Sequence, residues 1–266
     1  MRIVALLGVR NEELYMERCL EHLFQQGVEI CVIDNGSTDG TLQIAGRFLG
    51  RGVFRIEQLP FPGYFDLVGQ LKFQEQLATE IDADWFIHHD ADEIREAPTN
   101  FATLREGIVA ADADGYSAID FEEFVFIPTS VEDQFENTDY VANMRHYYFF
   151  SPCDLHRVNA WKKTTAVQTL VRTAGHQIEF SGRRIYPTKF ILRHYIALSD
   201  SHVRRKYGKE RVYSQREIEE RGWHRARSEF IADQFRLPAI HHVKSLRPGS
   251  NMLDRSDPKT KHLIFK

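Results

Sequence analysis

The sequence predicts an α/β fold: a mostly parallel central sheet flanked by helices, with an elaborated C-terminal half. Three observations predict it. Strand-like and helix-like patterns alternate through roughly the first hundred residues, the spacing of βαβ units. The strand-like runs are apolar throughout, as in a sheet covered on both faces. Beyond them the rhythm changes to aromatic and polar sequence of weaker periodicity.

Ile3-Val4-Ala5-Leu6-Leu7 is the first strand. Met16, Cys19, Leu20, Leu23 and Phe24 then follow helical spacing, and Gly27 supplies the stop. Ile30-Cys31-Val32-Ile33 is a second buried strand ending at Asp34, and NGSTDGT at 35–41 turns into a helix with Ser37 or Thr38 as N-cap. Leu42, Ala45 and Leu49 give that helix an apolar side. Val53-Phe54-Arg55-Ile56 is the third strand, Val68, Leu71, Ala78 and Ile81 mark the next helix, and Trp85-Phe86-Ile87 is the fourth strand. A helix around 100–111 leads into strand-rich sequence at 116–129. Residues 130–165 read as loops, 166–196 as strands with turns at Gly175 and Ser181-Gly182, and 201–227 as a charged helix.

With 42% hydrophobic residues, the 266-residue chain can bury a large core. A net charge of −4 gives no electrostatic case for nucleic acid. Cys19, Cys31 and Cys153 lack any paired spacing, which argues against disulfides or a thiolate zinc site and for a reducing, cytoplasmic setting. No 18-residue apolar run exists, so no membrane span is expected, and the N-terminus reads as a strand and not as a signal peptide.

Ligands of open parallel sheets bind beyond the carboxyl ends of the strands. Three polar clusters fall there: Arg10-Asn11-Glu12, Asp34-Asn35-Gly36 and Asp90-Ala91-Asp92-Glu93. In extended backbone Asp90 and Asp92 point the same way, and two like charges so close invite a cation. Oxygen donors suit Mg²⁺ or Mn²⁺, which bridges carboxylate to phosphate. Asp34 is either a nucleoside contact or a turn former. His88 and His89 face opposite ways in a strand and do not form a zinc motif.

RNEE at 10–13, VIDNGSTDGT at 32–41 and HHDADE at 88–93 together resemble an inverting, family 2-type glycosyltransferase of the GT-A fold. The resemblance covers roughly the first hundred residues. It implies a nucleotide-diphosphate-sugar donor held by Arg10, Asn11, Glu12 and Asp34, and a divalent metal on Asp92 and Asp90. It implies a cell-surface glycan or glycolipid as acceptor, and one domain over 1–266. In that domain 1–115 bind the donor, 116–200 face the acceptor and 201–266 form a helical extension. GVRNEE replaces the family's usual Pro-Thr/Ser-Tyr-Asn-Glu-like segment, and no QxxRW motif of processive synthases occurs. The second half is similar to a bacterial subgroup with a RHY segment, here Arg193-His194-Tyr195, before a basic helix.

Inverting transfer needs a general base for the acceptor hydroxyl. AGHQIEF at 174–180 resembles the family's acceptor loop, making Glu179 the first candidate, with His176, Glu122 and Glu123 behind it. Each also fits an ordinary surface position on a strand. His194 is either a late metal ligand or a histidine bonded to backbone. Lys206, with Arg204, Arg205, Lys209 and Arg211, either holds the diphosphate or an anionic acceptor, or belongs to a solvated helix with pairs such as Glu217–Arg221. That helix also suits peripheral association with the inner membrane face. Two alternatives stand beside the transferase. A sugar-nucleotidyltransferase needs a GxGxR-like loop, where LLGVRNEE has only Gly8. A degenerate binding module would not need the Asp90/Asp92 pair.

Overall fold

The strand Ile3–Val9 (β1) is buried at every position but Gly8, and it organises the computed structural model, which describes residues 1–247 and 249–265. The chain gathers into two units. The first comprises Met1–Phe61, Leu67–Glu122 and Leu155–Leu192, and the second Pro62–Asp66, Glu123–Asp154 and Arg193–Lys266.

In the first unit β1 pairs in parallel with β2 (Glu29–Asp34) on one side and β4 (Trp85–Asp90) on the other, and β2 pairs in parallel with β3 (Val53–Gln58). Strand order therefore runs outward from β1 in both directions, the switch at which such sheets bind ligands. Helices α1 (Glu13–Gln25), α2 (Thr41–Arg47) and α3 (Leu67–Glu80) are the crossovers. Val4, Leu6, Cys31, Ile33 and Phe86 pack with Leu71 and Leu77 of α3 in one core. Each fully buried aliphatic side chain there contributes about 1.5–3 kcal/mol. The mostly parallel α/β sheet predicted from the sequence is present. Two predicted apolar contacts are not: Phe24 is 50% exposed, and Leu49 lies beyond the end of α2 and is 53% exposed.

The second half departs further. VNAWK forms β8 (Val158–Lys162), antiparallel to β4 on one edge and to the start of β6 (Ala118–Phe126) on the other. Five residues amid basic neighbours gave no periodic signal, although Asn159, Ala160 and Trp161 are fully buried. Of residues 166–196, predicted as strands, Phe190–Tyr195 form β9, whereas residues 166–189 form a 3-10 turn at Val171–Thr173 and isolated bridges. Their backbone is instead held by side chains: Glu75 of α3 accepts from Thr169 Oγ1 (2.9 Å), Leu170 N (2.6 Å) and Val171 N (3.1 Å).

In the second unit the end of β6 pairs antiparallel with β7 (His146–Phe150), which pairs with the short β10 (Lys244–Ser245). Val125, Tyr148, Phe150, Val203, Tyr207 and Phe235 form its core. The single helix predicted over 201–227 is broken into α6 (Asp200–Arg205), a π turn at Lys206–Glu210, α7 (Gln215–Arg221) and α8 (Arg225–Ser228). Gly222, left-handed at φ 69°, ends α7.

Candidate active site

The register fixes the rim. Val9 pairs with Asp34 across β1–β2, and Gly8 with Asp90 across β1–β4. One intervening strand separates the two aspartates, so their Cα atoms stand about 10 Å apart at the usual interstrand spacing.

Arg10, Asn11 and Glu12 are knitted to the 34–41 loop. Arg10 donates to the carbonyls of Asn35 (2.8 Å) and Gly36, and its guanidinium covers Phe61 at 3.4 Å. Burial disfavours its charge, and the proximity of Asp34 and Asp39 offsets this. Asn11, left-handed at φ 53°, accepts from Thr38 N (2.8 Å) and donates its own N–H to Ser37 Oγ (3.0 Å). Glu12 N donates to Thr41 Oγ1 at 2.8 Å. Ser37 and Thr38 are thus occupied with β1's exit, and α2 begins at Thr41 without a side-chain N-cap, contrary to the sequence expectation.

The Asp34 carboxylate accepts from Gly36 N (3.1 Å) and Ser37 N (3.2 Å), the turn-forming use of this residue. A carboxylate has about four lone-pair sites. The two loop donors use part of that capacity on a side chain that is itself buried. Asn35 is buried: it donates to Leu59 O (3.0 Å) and Pro60 O (3.2 Å) and accepts from Gln70 (3.2 Å).

The metal pair sits differently from the sequence expectation. Asp90 closes β4 and is exposed, whereas Ala91-Asp92 form a turn before β5 (Glu93–Glu96). The two carboxylates are therefore divided between the last residue of a strand and the turn after it, and are not borne by one extended strand. Among the described residues no three His, Cys, Asp or Glu side chains converge as a closed metal cage. Exposed Asp90 and the more deeply set Asp92, 7% exposed, offer two carboxylates, which fits the hard-ion pattern in which the protein supplies one or two oxygens and phosphates and water the rest.

Beneath the turn lies a buried ionic cluster that sequence reasoning missed. Glu93 accepts from Arg95 (2.6 Å), from His89 Nδ1 (3.3 Å) and from Asp90 N (3.3 Å). Burial would push this carboxyl up, yet Arg95, the His89 bond and Arg157 together hold it well below the ordinary range. His89 also lies 4.0 Å from Cys19 Sγ, while His88 on the opposite face donates to Gln74 Oε1 at 2.6 Å. Burial lowers both imidazoles, His88 to about 4. The available signal was Glu93 and Arg95 two apart in one short strand, hence on one face.

Of the candidate bases in this unit, Glu179 shares a backbone bridge with Thr169 (N–H···O 2.8 and 2.9 Å), and its half-exposed carboxylate lies 3.8 Å from Arg172. His176 stacks on His156 with ring centroids 4.9 Å apart. Glu122 is a partly buried residue of β6. His194 and Lys206 belong to the second unit. There His194 Nδ1 donates to Glu123 Oε1 at 2.7 Å, and Lys206 is 3% exposed within the π turn. Around it Arg204 pairs with Asp200 (2.6 Å) and Arg205 with Glu210 (3.3 Å) and Glu136 (3.6 Å). Glu217, expected opposite Arg221, lies 3.5 Å from His224.

Carboxylates and loop donors gather where the parallel sheet reverses its strand order, the place at which α/β sheets bind ligands. Residues 6–95, which contain the whole rim, match the glycosyl transferase family 2 model. The chain is also similar to the lipopolysaccharide core biosynthesis glycosyltransferase LpsC of Rhizobium meliloti (strain 1021), at 34% identity over 84 residues. That match covers 31% of this chain and 28% of the relative. Among solved structures, S. aureus TarS 1-349 in complex with UDP aligns with a TM-score of 0.45 at 14% identity, covering 74% of this chain and 61% of TarS. Glucosyl-3-phosphoglycerate synthase from Mycobacterium tuberculosis, in complex with Mn2+, UDP and phosphoglyceric acid, aligns with a TM-score of 0.32 at 20% identity, covering 47% and 43%. No helix among the described residues is long and apolar enough to cross a membrane.

Proposed function

We propose that the protein is an inverting, metal-dependent glycosyltransferase that moves a sugar from a nucleotide diphosphate donor to an acceptor hydroxyl. The observation that supports it best is the register that brings Asp34 and Asp90 to either side of β1 at the strand-order switch, within the family 2 segment.

In this reading the 34–41 loop, braced by Arg10, Asn11 and Glu12, receives the nucleoside, with Asp34 offering its remaining acceptor sites to hydroxyls. Asp90 and Asp92 hold Mg²⁺ or Mn²⁺ against the diphosphate. When bound, the ion supplies charge neutralisation for the departing nucleotide diphosphate. Glu179 of the 174–180 segment is the general base, with His176 of the same segment and Glu122 of β6 as the alternatives. A base within hydrogen-bond reach of the acceptor oxygen takes its proton as that oxygen attacks the anomeric carbon from the face opposite the leaving group. The acceptor is a cell-surface glycan or glycolipid, and the reaction is placed in the cytoplasm at the inner membrane face.

The testing experiment is a thermal-shift panel of UDP-, GDP-, dTDP- and CMP-sugars with and without Mn²⁺. One donor should raise Tm in proportion to its affinity, and only with the ion. No shift with any sugar nucleotide would remove the donor assignment. A shift independent of the ion would remove the metal.

A further inference from the structure

The cluster beneath the Asp90–Asp92 turn extends beyond it. Glu93 Oε2 accepts from the Asp90 amide (3.3 Å) and from Arg95 NH2 (2.6 Å). The same Arg95 nitrogen reaches Asn159 Oδ1 of β8 at 3.5 Å, and Asn159 Nδ2 donates to the Gly175 carbonyl at 2.7 Å. Glu93, Arg95 and Asn159 are 1%, 0% and 0% exposed. Gly175, left-handed at φ +81°, presses so close to β4 that a Cβ there would stand 3.0 Å from His88 Nε2. Every one of these residues lies in the first unit.

We propose that Glu93, Arg95 and Asn159 are positioning residues that hold the Asp90–Asp92 turn and the Gly175–His176 loop in one register, so that disturbing either loop displaces the other. The inference rests on reading the turn as donor side and the loop as acceptor side. Two physical arguments support it. A buried ion pair offers little net stability over an apolar pair, so its place under a functional turn points to geometry. Arg95 also lays its planar guanidinium over Phe121 at 4.4 Å while one of its nitrogens reaches both partners, an arrangement that a lysine ammonium on a flexible stem does not reproduce. Such register matters because misplacing a reacting group by about 1 Å costs about 100-fold in rate.

The test pairs steady-state kinetics with amide hydrogen exchange in Asn159→Ala, Glu93→Gln, their double variant and Arg95→Lys. In Asn159→Ala, which leaves the turn's own residues intact, kcat should fall about 10–100-fold while donor KM stays within about twofold. Exchange over 88–94 should accelerate in Asn159→Ala, and exchange over 170–178 in Glu93→Gln. The double variant should lose little more than the worse single, as coupled sites do. Arg95→Lys keeps a charge beside Glu93 and should still loosen 170–178. If Glu93→Gln does not fold, Asn159→Ala and Arg95→Lys carry both readouts. Additive kinetic losses, or faster exchange confined to the loop that was altered, overturn the proposal. Exchange needs no turnover, so a wild-type protein that transfers no sugar would refute the functional reading while the coupling is still measured.

Discussion

Replacing Arg95 by Met tests the energetics of the cluster under the Asp90–Asp92 turn. Arg95 is fully buried, pairs with Glu93 at 2.6 Å, and lays its guanidinium over Phe121 at 4.4 Å. Methionine preserves much of the apolar contact but takes from Glu93 the charge that pairs with it at 2.6 Å. Removing one partner of a buried pair costs about 3–5 kcal/mol. At about 2–4 °C per kcal/mol for a chain of this size, Tm should fall by about 6–20 °C. Urea titration followed by the fluorescence of the buried Trp85 and Trp161 reads the loss directly. The double variant Glu93→Gln/Arg95→Met removes both charges and should recover most of it. A single variant that loses less than about 1 kcal/mol, or a double variant no better than the single, would refute the argument that the charges matter as a pair.

Asp92→Ala should abolish transfer and Mn²⁺-dependent nucleotide stabilisation with little change in melting of the ligand-free protein; full turnover would remove Asp92 from the metal. Glu179→Gln should keep donor binding by thermal shift and lose most transfer; unchanged transfer moves the base to His176 or Glu122. Gly175→Ala forces a side chain into left-handed backbone with His88 Nε2 3.0 Å and Leu71 Cδ2 3.2 Å from the new methyl, and should destabilise by about 1–3 kcal/mol in urea. Burial pushes His22, which donates to the Arg95 carbonyl at 2.8 Å, down to about 4 from 6.5. Between those values the unfolded chain takes a proton that the native state refuses, so stability falls as pH drops from 6.5 to about 4. His22→Gln should flatten that decline by about 1.4 kcal/mol per pH unit; identical slopes in wild type and variant would show that the native histidine titrates normally.

The first ninety residues were legible because each strand is a continuous apolar run and each crossover helix carries its own stripe, so local pattern and final burial agree. The polar clusters at strand ends were legible for the same reason: wherever a buried run stops, the next residues stand at the rim. β8 was not, since its five residues acquire a pattern only through pairing with β4 and β6. Residues 166–189 misled because Thr, Val and aromatic content reads as strand, while Glu75, about ninety positions earlier, holds the segment as a loop.

The sequence by itself determined the parallel α/β half and the three clusters that meet on its edge, because hydrophobic periodicity and strand ends are local properties. Tertiary structure alone decided how those clusters are used. Asp34 and the 10–12 segment are bound into one loop system, and Asp90 ends β4 with Asp92 on the turn after it. The histidines beside them are buried, and Glu93 is joined through Arg95 to Asn159. Each of these depends on hydrogen bonds and charge pairing between residues far apart in the chain, which no local pattern records.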